Sequence, residues 1–182
     1  MAAEIQTQPD LFGIPLSSDD GNFFIVLVIH ILLSLTAVIC GLGAMLKNKA
    51  SKGHSAFGKI YYWSILAAFV TVITLAIMRW PFNNHLFMIG LLTIILVFVG
   101  RRIARIKTPR WSRLHTICMG GSYILLLTGF YVDNGKNLPF WKLFPQWFFW
   151  IFPAIVGVPI ILYVLKKHPL NKITNNRKHL SE

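Results

Sequence analysis

Acidic residues are scarce in this sequence. The 182 residues include 6 Asp and Glu against 18 Lys and Arg, and only 13% of the chain is charged. Soluble domains carry roughly a quarter of their residues as charges, so this composition excludes an ordinary soluble fold. It also excludes a basic nucleic-acid-binding domain, because such a domain would be rich in charged side chains and not 55% hydrophobic.

Cysteines and catalytic motifs are also few. Cys40 and Cys118 lie singly within apolar runs, which excludes a disulfide scaffold and a cysteine-based zinc motif. The sequence contains no Gly-x-Ser-x-Gly elbow, no His-Glu-x-x-His pair and no glycine-rich phosphate loop, so it indicates no hydrolase. We expect all six acidic residues to lie in loops or tails, which argues against a carboxylate-based proton pump or cation transporter.

Long apolar runs, by contrast, dominate the chain. Each is long enough to cross a bilayer as an α-helix, although the third is marginal. None alternates polar and apolar residues as the strands of a membrane barrel do. The sequence therefore predicts an all-α fold, a transmembrane bundle of five helices. The five runs lie at residues 23–46, 57–78, 81–100, 114–132 and 147–165.

The basic residues fall almost entirely on one side of this bundle. Fifteen of the 18 lie in the first connection, the third connection and the tail, namely Lys47, Lys49, Lys52, Lys59, Arg101, Arg102, Arg105, Lys107, Arg110, Arg113, Lys166, Lys167, Lys172, Arg177 and Lys178. The positive-inside rule then puts the C-terminus in the cytoplasm and the N-terminus outside. We expect an extracytoplasmic segment at 1–22, a transmembrane domain at 23–165 and a cytoplasmic tail at 166–182, in the lipid bilayer of a cell membrane such as the bacterial inner membrane.

The outer connection and the fifth run carry further signals. Asp133-Asn134-Gly135 predicts a turn. Aromatic residues follow it and predict a belt at the headgroup level, an interfacial segment more than a site. The belt residues are Trp141, Phe144, Trp147 and Trp150. Pro153 and Pro159 predict a kink in the fifth helix.

The histidines are distributed regularly along the predicted helices. The first four predicted helices carry one histidine each, and His54 lies at the entry of the second, before its apolar run. His54 and His115 lie at the cytoplasmic side, and His30 and His85 lie at the outer side. In a sequential antiparallel bundle of four helices, the first and third are diagonal, as are the second and fourth. Two imidazoles on diagonal helices at one depth can ligate a flat macrocycle on both faces.

This arrangement predicts one or two b-type hemes for electron transfer within or across the membrane. The inner pair, His54 with His115, is matched in depth, because each lies close to a basic cytoplasmic connection. The outer pair is less well matched, since His30 lies roughly 10 Å below the outer end of its helix and His85 lies nearer the surface. A third helix beginning at Pro81 would narrow that gap by about one turn.

Neighbouring residues add candidates for supporting roles. Ser34 and Tyr61 are within helical reach to orient an imidazole, and the inner Lys and Arg residues are candidates to pair heme propionates. Small residues on the same faces leave room for a porphyrin edge, but they equally allow close helix packing, which we favour for these residues taken alone. They are Ser34, Ala37, Gly41 and Gly58.

Each histidine also has an ordinary interpretation. His54 and His115 could contact lipid phosphates at a positive boundary, and His85 could cap a helix start. His30, between two isoleucines, is costly to bury without a polar partner on a neighbouring helix. This interpretation predicts a non-redox protein, such as a small transporter, an assembly factor for a respiratory complex or a structural bundle. A metal-handling protein using the same four histidines is a third possibility.

Three stretches resemble a bacterial family of predicted membrane proteins known as a domain of unknown function. They are KGHSAFGKIYYW, LHTICMGGSYILLLTGFYVDNGKNLP and FWIFPAIVGVPII. This resemblance implies an integral membrane protein and no particular activity. The histidine arrangement is separately similar to that of ascorbate-reducible diheme transmembrane cytochromes of the b type. The chain departs from them in having five helices rather than six and no matching ascorbate-binding motif, so a redox partner on either side is left undefined.

The topology can be tested by cysteine labelling. With Cys40 and Cys118 replaced by alanine, we expect Lys136→Cys to react with a membrane-impermeant maleimide on spheroplasts, because its connection is predicted to lie outside. Lys47→Cys should react only after the membrane is permeabilised. The reverse labelling pattern would show that the orientation is wrong.

Overall fold

The structure, a computed structural model, describes residues 10–11, 14–15, 21–49, 51–79, 83–107 and 110–167. Only the backbone is described at 10–11 and 14–15, where two short strands, β1 (Asp10–Leu11) and β2 (Ile14–Pro15), pair antiparallel. Pro81 and the tail histidines His168 and His179 lie outside the described residues.

Five helices make up the rest of the described chain. They are α1 (Gly21–Leu46), α2 (Lys52–Met78), α3 (Asn84–Ile106), α4 (Trp111–Asn134) and α5 (Gln146–Lys167). Short 3-10 turns at Gly135–Asn137 and Trp141–Leu143 connect α4 to α5. All five helices are long and apolar enough to cross a membrane, which confirms the predicted five-helix, all-α bundle.

The helices extend past the apolar runs that predicted them. Hydrophobicity marks the part of a helix inside the hydrocarbon, whereas the backbone hydrogen bonds continue into the interface. As a result α2 begins at Lys52, where Ser51 Oγ caps it by accepting a hydrogen bond from the backbone N–H of His54 (3.1 Å). The third helix spans Asn84–Ile106 and not 81–100, so it includes three of the arginines assigned to the following connection.

The same effect corrects two expectations at the C-terminal end of α4. The helix continues through Asp133 and Asn134, and a 3-10 turn starting at Gly135 follows, so the predicted turn is wrong. Asn134 Nδ2 donates to the Phe130 carbonyl oxygen (3.1 Å) inside the last turn. Asp133 therefore lies in a helix, and the expectation that every carboxylate lies in a loop or tail is also wrong.

The first four helices form a ring with the predicted diagonals. α1 packs along α2, α3 along α4 and α2 against α3, while α1 contacts α4 to a smaller extent. Helix α5 packs on α4 and runs as one helix through Pro153 and Pro159. The diagonal pairs of the ring are therefore α1 with α3 and α2 with α4.

The core of the ring is small and holds one polar bridge. Its buried residues are Ala37, Cys40, Tyr61, Ile65 and Val97. Ser122 Oγ donates to the Met119 carbonyl oxygen (2.8 Å), so the Tyr61 hydroxyl donates to Ser122 Oγ (2.9 Å) and links α2 to α4 across the diagonal. Gly41 allows the Tyr123 ring to pack closely against α1, because a Cβ at position 41 would lie 2.7 Å from that ring.

Removing the Tyr61 hydroxyl tests this bridge. We expect Tyr61→Phe to lower the free energy of unfolding in detergent by about 0.5–1.5 kcal/mol, since Ser122 keeps its bond to the backbone and only one hydrogen bond is lost. A double-mutant cycle with Ser122→Ala isolates the interaction. Strictly additive effects of the two substitutions would contradict the bridge.

Candidate functional site

The inner histidines meet across the diagonal of the ring. His54 lies in the first turn of α2 and His115 in the second turn of α4. Their imidazole centroids are 6.4 Å apart and the ring planes are inclined by 74°. The structure thus brings together two residues that are 61 positions apart in sequence, at the depth and on the helices that the sequence predicts.

Both imidazoles are held in the same way by the helix that precedes them. His54 Nδ1 lies 2.8 Å from the Ala44 carbonyl oxygen of α1, and His115 Nδ1 lies 3.0 Å from the Gly100 carbonyl oxygen of α3. A carbonyl oxygen only accepts, so Nδ1 carries the proton and donates in each ring. In a neutral imidazole this leaves the Nε2 lone pair available, which is the usual arrangement of a metal-ligating histidine.

The local sequence explains this support. Ala44 is one of the last four residues of α1, whose carbonyl oxygens have no partner within the helix, so His54 satisfies one of them. On the other side, Lys107 and Arg110 adopt left-handed backbone conformations, with φ of 53° and 64°, and turn the chain from α3 into α4. This tight reversal brings His115 back against Gly100.

The separation of the two rings suits a shared metal ion. Two imidazoles that bind one ion from opposite sides, with metal–nitrogen bonds of about 2.0–2.1 Å, have centroids roughly 6.5 Å apart. The separation of 6.4 Å is close to that value. An interplanar angle of 74° is compatible with such ligation, because each ring can rotate about its own metal–nitrogen bond.

Lys49 and Gly58 complete the surroundings of the inner pair. Lys49, in the connection between α1 and α2, lies within electrostatic range of His115. Partial desolvation lowers the pKa of the Lys49 ammonium below its ordinary value. One turn beyond His54, a Cβ at Gly58 would meet no atom within 4 Å, so there is open space beside that face of α2.

The outer histidine of α1 has a different environment. Thr71 Oγ1 donates to the Ala68 carbonyl oxygen (2.6 Å), and so it accepts a hydrogen bond from His30 Nδ1 (2.8 Å). The remaining ring nitrogen, Nε2, accepts from Ser34 Oγ (3.3 Å). This chain of hydrogen bonds between α1 and α2 satisfies both nitrogens of His30 in its neutral form.

His85 and Asp133 lie near this group. The His85 ring, in the first turn of α3, is 6.1 Å from the Trp150 ring of α5. Asp133 at the end of α4 is within electrostatic range of both His85 and His30. No ring contact joins His30 to His85 in the described part of the chain, so the structure does not bring the outer pair together as it brings the inner pair.

The supporting residues were predicted only in part. Ser34 contacts a histidine as expected, but Tyr61 bonds Ser122 and no imidazole. Thr71 was missed, although a threonine in an apolar run at the depth of His30 is a usable signal. The roles of the Ala44 and Gly100 carbonyl oxygens could not be predicted from the sequence, because every residue has a backbone carbonyl oxygen.

The four histidines do not gather at one place. They lie at two ends of the bundle, and residues 21–49, 51–79, 83–107 and 110–167 contain no group of three or more His, Cys, Asp or Glu side chains that could hold a metal ion. The inner pair therefore consists of two imidazoles with no third such side chain beside them in the described part of the chain.

Comparison of the chain with models of protein families, with curated proteins and with solved structures found no match. The two resemblances drawn from the sequence therefore stay predictions.

The hydrogen-bonded chain at His30 can be tested with two matched threonine substitutions. Thr71→Val keeps the side-chain shape but removes the hydroxyl that accepts from His30 Nδ1, so we expect it to lower the free energy of unfolding by about 0.5–1.5 kcal/mol. Thr74→Val is the control, because Thr74 Oγ1 bonds only the Val70 carbonyl oxygen in its own helix (3.1 Å). Equal effects of the two substitutions would contradict the role of Thr71.

Proposed function

We propose that this protein is a membrane-bound electron carrier that holds a b-type heme between His54 and His115 at the cytoplasmic side of the bundle. The observation that carries the proposal is the geometry of this pair. Two imidazoles on diagonal helices have centroids 6.4 Å apart, and each donates Nδ1–H to a backbone carbonyl oxygen, so their Nε2 atoms would hold the heme. When bound, the heme iron would supply one-electron redox chemistry.

The residues of the chain have defined roles in this proposal. The Ala44 and Gly100 carbonyl oxygens orient the rings and make Nε2 a better donor to a metal. Lys49 is placed to pair an anionic propionate. The open space at Gly58 leaves room for an edge of the macrocycle.

The separation of the two ligand helices is also held in place. Tyr61 and Ser122 each lie seven residues after the histidine of their own helix, which is about 10 Å further into the bundle. Their hydrogen bond (2.9 Å) ties α2 to α4 directly below the inner pair. A fixed separation favours bis-imidazole ligation, because neither ring then needs to be moved when the iron binds.

The outer histidines decide how far an electron would travel. With the inner pair alone, the protein would exchange electrons with a partner at the cytoplasmic side. Transfer across the bilayer would need a second heme at His30 and His85. That site requires His30 to give up its bond to Ser34, which at 3.3 Å is the longer of its two side-chain hydrogen bonds.

A non-redox role is the second candidate function. Under that interpretation His30 is expected to pair with a polar group on a neighbouring helix, and it accordingly contacts Thr71 of α2. A small transporter, an assembly factor for a respiratory complex or a structural bundle would all have this pairing. The inner pair would then contact lipid phosphates through Nε2.

A visible spectrum distinguishes these functions. We expect protein expressed with a heme supply and purified in mild detergent to show sharp α and Soret bands after reduction with dithionite. A pyridine hemochrome count near one heme per chain would indicate the inner site alone, and a count near two would add the outer site. A colourless but folded preparation would contradict the cytochrome proposal and favour the non-redox role.

Histidine variants assign the ligands. His54→Ala and His115→Ala should each abolish the low-spin spectrum of the inner heme, whereas His179→Ala in the tail should leave it unchanged. His54→Met is a milder variant, because a Met–His pair still ligates heme but raises its reduction potential. Unchanged bands and an unchanged potential in all three inner variants would show that the heme is held elsewhere.

A further inference from the structure

A second feature of the cytoplasmic side is a cavity between α2 and α3. Its volume is about 220 Å³. The lining residues are Tyr62, Phe98, Arg101, Arg102, Arg105 and Ile106. Three of these six carry a positive charge, and the proposed function assigns none of the lining residues a role.

Arg101 has a buried guanidinium nitrogen for which the described residues supply no hydrogen-bond acceptor. Its guanidinium carbon lies 3.9 Å from the centroid of the Tyr62 ring, which fixes the group by a cation–π contact. Its Nη1 is buried and has no hydrogen-bond partner among the residues that the structure describes. A buried donor without an acceptor is costly, and more so when it is charged, so this position favours a ligand that brings oxygen atoms.

The ligand has to bring negative charge as well. Arg102 and Arg105 stand on the same wall as Arg101, and both are exposed. Asp133 is the only acidic residue whose side chain the structure describes, and it lies at the C-terminal end of α4, at the opposite end of the bundle from this cavity. Arginine binds phosphate oxygens through parallel hydrogen bonds, so three guanidinium groups around one cavity suit a phosphate group.

The rim of the cavity indicates where the phosphate comes from. Phe98 and Ile106 flank the arginines and are 54% and 58% exposed. Both lie on α3, which is long and apolar enough to span a membrane, in the part of the helix that carries the three arginines. Apolar contacts beside a cationic cavity fit a molecule with both a phosphate and acyl chains, and basic pockets between membrane helices are suited to anionic headgroups.

We propose that the cavity formed by Tyr62, Arg101, Arg102 and Arg105 is a binding site for an anionic phospholipid of the cytoplasmic leaflet. The phosphate accepts hydrogen bonds from Arg101 Nη1 and from the two exposed arginines. The acyl chains lie along Phe98, which precedes the arginines in α3 and so lies on their membrane side. The site is separate from the inner histidine pair and does not depend on heme being bound there.

Lipid binding can be measured by native mass spectrometry of the full-length protein released from detergent micelles. We expect wild-type protein to retain one dioleoylphosphatidylglycerol in preference to dioleoylphosphatidylcholine. Arg101→Gln/Arg105→Gln should weaken phosphatidylglycerol binding by about tenfold or more, because it removes two charge-assisted contacts. Lys107→Gln/Arg110→Gln removes the same charge from outside the cavity and should change binding less than about twofold.

The other outcomes would overturn the proposal. Equal weakening in both double variants would mean that the lipid responds only to net charge. Inorganic phosphate that binds as tightly as the phospholipid and displaces it would identify a soluble phosphate as the ligand. If the double glutamine variant does not fold, Arg101→Lys keeps the charge but loses the planar fork, and phosphatidylglycerol binding unchanged from wild type would then count against the site.

Discussion

Inside a bilayer, a polar side chain has no water to bond, so it must find its partner on another helix or on the backbone of its own. This constraint organises every histidine contact described above. His30 is satisfied by a threonine and a serine, whereas His54 and His115 each use a backbone carbonyl oxygen of the preceding helix. The difference matters chemically. In each inner ring, Nε2 has no hydrogen bond to the described residues, whereas both nitrogens of His30 are hydrogen-bonded. The function we propose follows from this contrast more than from the number of histidines.

The two helical hairpins repeat one device. In the first, α1 holds the imidazole of α2, and in the second, α3 holds that of α4. Each hairpin therefore presents one oriented ring at the same end of the bundle. The bond between Tyr61 and Ser122 then sets how far apart the two presenting helices lie. The charged groups at this end are separated as well: Lys49 lies within electrostatic range of His115, whereas the three arginines line the cavity between α2 and α3.

Much of this architecture could be predicted because hydrophobicity and charge are strong signals in a membrane protein. The five helices, the diagonal relation of α2 to α4 and the meeting of His54 with His115 all follow from run length and chain reversal. Helix ends were less predictable, since capping by Ser51 and the continuation of α4 through Asp133 occur in the interface, where apolar content no longer reports helix. The partners of the imidazoles were the least predictable, because a contact such as His115 with the Gly100 carbonyl depends on the rotation of each helix, and helices that are apolar on most faces give little indication of it.

The uneven packing of the ring has a consequence for how the protein is assembled. Each hairpin carries its own anchored imidazole, while the two hairpins meet over smaller surfaces between α2 and α3 and between α1 and α4 than the surfaces within each hairpin. A hairpin can thus insert into the membrane with its ring already oriented, and the inner pair comes into being only when the hairpins dock. A ligand that binds both rings would hold the two hairpins together. Binding of that ligand and closure of the four-helix ring would then occur in one step.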